Sequence, residues 1–372
     1  MKQCDVVVVG AGIAGASMAS ALAVDRDVVL LEREDTPGYH TTGRSAALFT
    51  PTYGPPQIRA LTRASQGFFD APPPDFTSVP LVRQRDVLLL ARPDQRAALE
   101  AAAGSLSSET PIDWVEGDRL QVLHPLLRPG YADCGVLNRD SADIDVDALL
   151  AAWLRLFRTR GGELRVRAEV TGLRRVGEHW RLRTPNGELS ATWVVNAGGA
   201  WADTVARLAG AEAVGVVPKR RTVAVIASPP TLGDARAVPV AIDVDEQFFL
   251  KPEAGRLLVS PADATPSPPT DARPEEWDIA VGVDRVQRAF DLDVKRVESA
   301  WAGLRCFVPD GLPVVGPDPD VPGFFWLCGQ GGYGIQTAPA MAALGATLLR
   351  GDPLPEHLEA EGVDAALLRP GR

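Results

Sequence analysis

The stretch "DVVVVGAGIAGASMASALAVDRDVVLLERE", from Asp5 to Glu34, constrains the fold more than any other part of the chain. Val6–Val9 form an unbroken apolar run, the pattern of a strand buried on both faces. Gly10, Gly12 and Gly15 follow in G-x-G-x-x-G spacing, with Ile13 and Ala14 opening an Ala-rich helix. Gly10 permits a tight turn, Gly12 lets a pyrophosphate approach the backbone, and Gly15 lets helix and strand pack closely. The helix start offers amides and a partial positive charge to an anion. A second strand, Val28–Leu31, ends in Glu32, about 20 residues beyond the glycines, where an acid binds ribose hydroxyls. The unit predicts a dinucleotide site, and the acid disfavours the 2′-phosphate of NADP.

Two more glycine-rich units lie far downstream. One is "VVNAGGAWAD", a strand running into Ala197, Gly198, Gly199 and Trp201. The other is "FFWLCGQGGYGIQTAPAMAALGATLL", a strand, a glycine loop over Gly331, Gly332, Tyr333, Gly334, Ile335, Gln336 and Thr337, and a helix. Backbone that approaches one long ligand at several points suits FAD, which is longer and more enclosed than NAD.

Composition narrows the class. A chain of 372 residues has material for two or three domains, and a formal net charge of −10 disfavours a nucleic-acid partner. No apolar run approaches the roughly 20 residues of a transmembrane helix. The N-terminus imitates a secretory signal, but Asp5 and the glycine spacing fit the dinucleotide unit better. Cys4, Cys134, Cys306 and Cys328 form no CxxC, which predicts a reduced, cytoplasmic protein. The four histidines show no metal spacing, so no metal site is expected.

The periodicity predicts an α/β fold with a second, largely antiparallel sheet. "DVDALLAAWLRLFRTRGG" has helical spacing with an Asp N-cap and a glycine stop. "RQRDVLLLARP" reads as a strand, and "EQFFLKPEAGRLLVSP" as a hairpin turning at Glu253–Gly255. "ELRVRAEVTGLRRVGEHWRLRTPNGELSATWVVNAGG" reads as four strands with a turn at Asn186–Gly187. The Pro-rich stretches 71–80 and 261–276 read as surface loops. In "PKRRTVAVI", a strand sends Arg220 and Arg221 to opposite faces, so one can point inward while the other stays solvated. Arg305 stands at a strand end before a Pro-Asp-Gly turn. The fork of an arginine matches a carboxylate with two parallel hydrogen bonds. Tyr53, in "TPTYGPP", sits on a stiff flap with a glycine joint.

The N-terminal fingerprint, "GRSAALF", "VVNAGGAWAD", "WAGLRCFVPDG" and "GQGGYGIQT" together resemble the D-amino-acid oxidase/dehydrogenase superfamily of FAD enzymes. The likeness covers essentially the whole chain. "YHTTGRSAA", "PKRR" and "FLKP" extend it toward the bacterial D-arginine dehydrogenases. It implies an FAD domain with a Rossmann-like core from 1–47, 138–202 and 306–372. It implies a second, α+β substrate domain from 48–137 and 203–305, on a mostly antiparallel sheet. It implies non-covalent FAD, with Glu32 and Arg33 near the adenosine ribose and Val170 near the adenine. Thr41, Thr42, Gly43, Arg44, Ser45, Ala46 and Ala47 would line the pyrophosphate and the flavin ring. The amides from Gly331 to Thr337 would face the flavin carbonyl edge. Arg221 and Arg305 would clamp a substrate carboxylate, Tyr53 would close over it, and Thr50 and Gly332 would border the pocket. His40 would pack or hydrogen-bond near the cofactor.

Three pocket positions depart from the D-arginine enzymes, which carry a histidine, a glutamate and a tyrosine where this chain has Leu48, Val87 and Phe249. Each change removes a polar group, and a cationic substrate beside Val87 would lack a countercharge. Asp86 is adjacent but points to the opposite face. The resemblance therefore implies FAD-dependent oxidative deamination of neutral, apolar D-amino acids. It gives imino acids that hydrolyse to 2-oxo acids and ammonia, with the electron acceptor undefined. The alternative is a glycine- or sarcosine-type amine oxidase acting on an N-substituted amino acid. From another class, a flavin-binding module without turnover is opposed by the presence of both arginines.

Overall fold

Lys2–Val9 lies in the middle of an eight-stranded sheet, in a computed structural model that describes residues 2–372. It pairs in parallel with Val28–Leu31 on one side and Gly187–Asn196 on the other. Glu163–Arg165 and Phe324–Cys328 extend the parallel part, while Gly172–Val176 and His179–Thr184 add an antiparallel edge. The valine run explains the central place. Val6 and Val8 enter one apolar cluster and Val7 and Val9 another, so both faces of the strand are dry. Burying each valine stabilises the fold by about 1.5–3 kcal/mol.

Helix α1 (Ile13–Leu22) covers the first face with the helices Val146–Thr159 and Ala338–Arg350. The predicted cap is present: the Asp145 carboxylate accepts from the Ala148 amide at 2.8 Å. The predicted stop is present too, with Gly161 at φ +85°. The four strands read between Glu163 and Asn196 all form, with the turn before Gly187 as expected.

The second sheet has nine strands and is antiparallel except where Val240–Asp243 runs alongside Val87–Ala91. The hairpin turns at Ala254–Gly255 between Phe249–Glu253 and Arg256–Ser260. Val217–Ala227 pairs with Ser299–Phe307, Arg221 opposite Gly303 and Lys219 opposite Arg305. Paired residues of antiparallel strands share a face, so this register puts Arg221 and Arg305 on one side of the sheet.

Two expectations are corrected. "RQRDVLLLARP" is not one strand. Val82–Gln84 joins Leu48–Phe49 and Ala142–Ile144 in a small three-stranded sheet, and Val87–Ala91 joins the large one. The break falls at Arg85, whose buried guanidinium donates to Asp143 at 2.9 Å and to the carbonyls of Ala235 and Val238. Arg220 does point away from Arg221, but it is not solvated. Its side chain is 13% exposed and paired with Glu275 and Asp278 beside the helix Glu276–Ala289.

Candidate active site

A single cavity of about 570 Å³ runs from the C-terminal ends of the parallel strands to the face of the second sheet that carries the arginines. That is where a doubly wound sheet leaves a crevice for a dinucleotide. At one end the fingerprint has the shape the sequence predicts. Gly10 adopts φ +102°, and a Cβ there would overlap the Ala197 carbonyl oxygen. A Cβ on Gly12 would come within 3.2 Å of the Thr42 hydroxyl. Gly15 lies behind the wall, where a side chain would collide with the Gly10 carbonyl. Glu32 is buried with both carboxylate oxygens held, by the Ala11 and Glu34 amides at 3.0 Å each. Arg33 lies over the Trp201 ring at 4.7 Å, and Val170 closes the same end. His40 bonds Glu34 at 2.9 Å and packs on Trp201, the packing role expected of it.

The loop after the second strand divides its polar groups between fold and cavity. The Thr42 hydroxyl accepts from the Ile13 amide at 3.0 Å, which occupies one of the free donors at the start of α1. The Thr41 hydroxyl ties the loop to the Leu304 carbonyl at 2.7 Å. Arg44 touches the wall, but its guanidinium is engaged by Asp271 and the carbonyls of Ala272 and Ala302. Gly43 does not border the cavity, whereas Ser45, Ala46 and Ala47 do. In the C-terminal glycine loop, the amides of Gly331, Tyr333 and Thr337 donate to protein carbonyls. Those of Gly332, Gly334, Ile335 and Gln336 have no protein acceptor among the described residues, and all four residues line the cavity. So four of the seven residues, not the whole stretch, offer a ligand their amides. Ala14, Ala197 and Gly198 complete the wall.

The other end gathers Arg221, Arg305, Tyr53, Leu48, Thr50, Val87, Phe249 and Gly332 around one space. Arg305 Nη1 donates to the Tyr53 hydroxyl at 3.1 Å. A side chain on Gly332 would sit 2.8 Å from the Arg305 guanidinium carbon, so only glycine leaves room for it. Burial, and then the neighbouring Arg305 charge, push the Arg221 guanidinium below its usual range. Among the described residues its Nε has no partner; Glu246, at 3.6 Å, makes its one ion pair, and Asp263 is a second acid whose charge it feels. The buried Thr50 hydroxyl is likewise without a partner. Two cations with spare donors in one cavity form a site for an anion.

The sequence did not point to Glu246, which reaches the site from a turn at φ 53°. It did not point to Ile242, Val244 or Asn138 either. No motif marks them, since their presence depends on the pairing of Val240–Asp243 and Cys134–Asn138 with Val87–Ala91. Asp86 pairs with Arg139 at 3.1 Å outside the cavity, on the opposite face from Val87 as expected. The thiol of Cys306 is buried, donates to the Leu304 carbonyl, and is pushed up to about 12 by burial. Cys328 is fully buried.

A crevice shaped for a dinucleotide thus opens on a pair of arginines at the sheet face, an arrangement that suits an oxidoreductase. The family model DAO, FAD dependent oxidoreductase, matches residues 5–348, and the chain belongs to that family; its cofactor is FAD. The chain is 27% identical over 371 residues to a glycine oxidase of Pseudomonas putida, covering 94% of this chain and 97% of that one. It is 26% identical over 377 residues to the mitochondrial dimethylglycine dehydrogenase of Rattus norvegicus, covering 94% of this chain. It spans 43% of that relative's length, less than half. A solved glycine oxidase from Geobacillus kaustophilus shares the fold with a TM-score of 0.86 at 22% identity, over 100% of this chain and 99% of that one. No helix among the described residues is long and apolar enough to cross a membrane.

Proposed function

We propose that this protein oxidises the carbon–nitrogen bond of a small amino acid with an N-substituted amine, held by its carboxylate between Arg221 and Arg305. The observation that carries the reading is the like-charged pair itself: two arginines on one sheet face, one with an unpartnered Nε, in a cavity continuous with the glycine fingerprint. Holding two such charges together is unfavourable until an anion arrives. The glycine oxidase and dimethylglycine dehydrogenase relatives support a glycine-derived amine over the D-amino acids that the sequence resemblance put first.

The residues divide the work as follows. Gly10, Gly12, Glu32, Arg33, Val170, Ala197 and Gly198 would hold the adenosine and pyrophosphate, and Ser45, Ala46 and the free amides of the glycine loop the ring. FAD, when bound, supplies the two-electron acceptor. The free amides at Gly332, Gly334, Ile335 and Gln336 would offer fixed positive dipoles to negative charge developing on the ring. The arginines fix the carboxylate and so the orientation of the carbon to be oxidised. Tyr53, on Arg305, closes the space and keeps water out. Asp243 borders the cavity, but its carboxylate is engaged by Arg92 and Gln95. Glu246, the other carboxylate at the site, stands 3.6 Å from Arg221, and no strong base is required if the amine binds neutral. The imine formed hydrolyses to a 2-oxo acid and the released amine. The buried, un-ionised thiol of Cys306 offers no thiolate for a covalent link, in keeping with non-covalent FAD.

A second reading, oxidation of neutral D-amino acids, is favoured by the apolar Leu48, Val87 and Phe249 at the same end. One experiment separates the readings. The FAD-loaded protein is mixed anaerobically with glycine, sarcosine, dimethylglycine, D-alanine, D-leucine and D-arginine while the flavin absorbance is followed. The N-methylated glycines are expected to bleach it fastest and D-arginine slowest. Fastest bleaching by D-leucine would move the assignment to the second reading. No bleaching by any of the six would leave a binding module.

A further inference from the structure

The cavity does not stop at the arginine pair. Past Val87 it continues between the second sheet and α3 (Arg96–Leu106), lined by Leu89 and Val136 on the sheet and by Ala102 and Leu106 on the helix. It reaches the surface beside the exposed Ser105. The arm has a simple cause. Leu99 and Ala103 pack α3 onto Ala91, Cys134 and Val136. Ala102 and Leu106, four residues apart and so one above the other, are left facing the space by the flap. The small Ala102 side chain leaves the arm open where a larger one would fill it.

The polar groups along the arm are already satisfied. The Arg59 guanidinium is bound to Glu109 and to the Gly54 carbonyl. The Asn138 carbonyl oxygen accepts from Asp140 and Ser141, and its amide reaches Thr52. A charged group entering would find no free partner until it reached solvent at Ser105, and would carry its full desolvation cost. An alkyl chain would meet apolar walls throughout.

We infer that this arm receives an apolar chain borne on the nitrogen of the substrate, so that the site takes amino acids whose amine carries a linear alkyl substituent of several carbons. The inference rests on the proposed amino-acid reading only for what the arginines hold. Its own content is the direction and chemistry of the arm.

Straight-chain carboxylates test it without turnover. Acetate, butanoate, hexanoate and octanoate are titrated into the FAD-loaded protein, with binding followed by calorimetry and by the shift in the flavin spectrum. Each added methylene is expected to tighten binding about fourfold until the chain reaches solvent. Ala102→Trp, which fills the arm, and Ser105→Trp, which plugs its mouth, should each flatten the series to less than threefold from butanoate to octanoate. Affinity independent of chain length, or a slope unchanged in both variants, would overturn the inference. The two readings fail separately. A normal slope with no flavin bleaching by any amine keeps the arm and removes the amine oxidase. Rapid bleaching by sarcosine with a flat series does the reverse.

Discussion

Arg221 and Arg305 differ in how they are held, and their replacements should differ accordingly. Arg305 is fixed by Tyr53 and by the space that Gly332 leaves, whereas Arg221 makes one long ion pair, to Glu246 at 3.6 Å, with Asp263 acting on it by charge alone. On the proposed reading, removing either guanidinium deletes charge-assisted bonds to the substrate carboxylate, each contributing about 1.5–3 kcal/mol. Arg305→Met and Arg221→Met are each expected to lower kcat/KM about a hundredfold, with the flavin still bound. Gly332→Ala should resemble Arg305→Met, because its methyl group would displace the guanidinium. Steady-state kinetics on sarcosine check all three, and a Gly332→Ala protein with unchanged kinetics would show that the guanidinium need not stay where it is. Val87→Glu tests the specificity side. Buried beside the arginine pair, the new carboxylate should raise activity on D-lysine and D-arginine and lower it on neutral substrates. No gain on either cation would mean that Val87 does not face the substrate. At this scale the sequence was informative wherever a residue type had a single use. A glycine at positive φ, an acid after the second strand and a paired arginine could each be read in place. Glu246 could not, because an acid in a turn looks like any surface carboxylate until the sheet brings it to Arg221.

The flap between Thr50 and Pro56 is held at both roots. The Gln336 side chain accepts from the Thr50 amide at 3.1 Å and donates to the Thr62 hydroxyl of α2 (Pro56–Asp70) at 3.0 Å. From the other side Arg59 holds the Gly54 carbonyl at 2.8 Å, and Glu109 holds Arg59. The Arg59 and Arg63 guanidiniums hold the Glu109 carboxyl down at about 2, so this tie stays intact across the physiological range. At the tip, Tyr53 is held by its amide on the Thr50 carbonyl, by the Tyr333 ring and by Arg305, the last of these inside the cavity. Arg59→Met should lower stability by about 2 kcal/mol, less than a fully buried pair loses because Arg63 stays on the carboxylate. On the proposed reading, in which the flap closes over substrate without touching the reacting carbon, it should raise KM more than it lowers kcat. A variant with wild-type KM and a lowered melting temperature would reduce Arg59 to a structural residue. The elements that position the flap were unevenly legible. α1, the Asp145-capped helix and the strands beside them are fixed by local signals, namely apolar spacing, caps and glycine stops. The division of "RQRDVLLLARP" between two sheets was not, because it is imposed by Arg85 reaching Asp143 and the carbonyls near residue 238. Gln336 illustrates the same limit. The resemblance assigned its backbone amide to the cofactor, and that amide is free at the cavity, but nothing in the sequence signalled that its side chain ties helix to flap.

Across the whole molecule, the second sheet carries its own core, and that core contains a group that does not suit it. His124 is fully buried against Phe290, with rings 4.7 Å apart and both ring nitrogens without partners among the described residues. Burial lowers its proton affinity from 6.5 to about 4, so it is neutral in the folded protein at any ordinary pH. The unfolded chain binds a proton at His124 as pH falls below about 6.5, while the folded protein does so only near 4. Stability is therefore full above about pH 6.5 and declines toward pH 4, by about 3 kcal/mol in all from this one residue. His124→Leu keeps an apolar side chain in the same core and removes the titration. The carboxylates of the rest of the protein titrate in both forms, so they cancel when the two are compared. Urea unfolding at about pH 7.5 and about pH 5 should show the variant gaining about 2 kcal/mol on the parent between those conditions. It should also be no less stable at the higher pH, because two unsatisfied buried nitrogens are removed with the ring. A gap between the two proteins that is the same at both pH values would mean that His124 is protonated inside the fold, and that this core admits water.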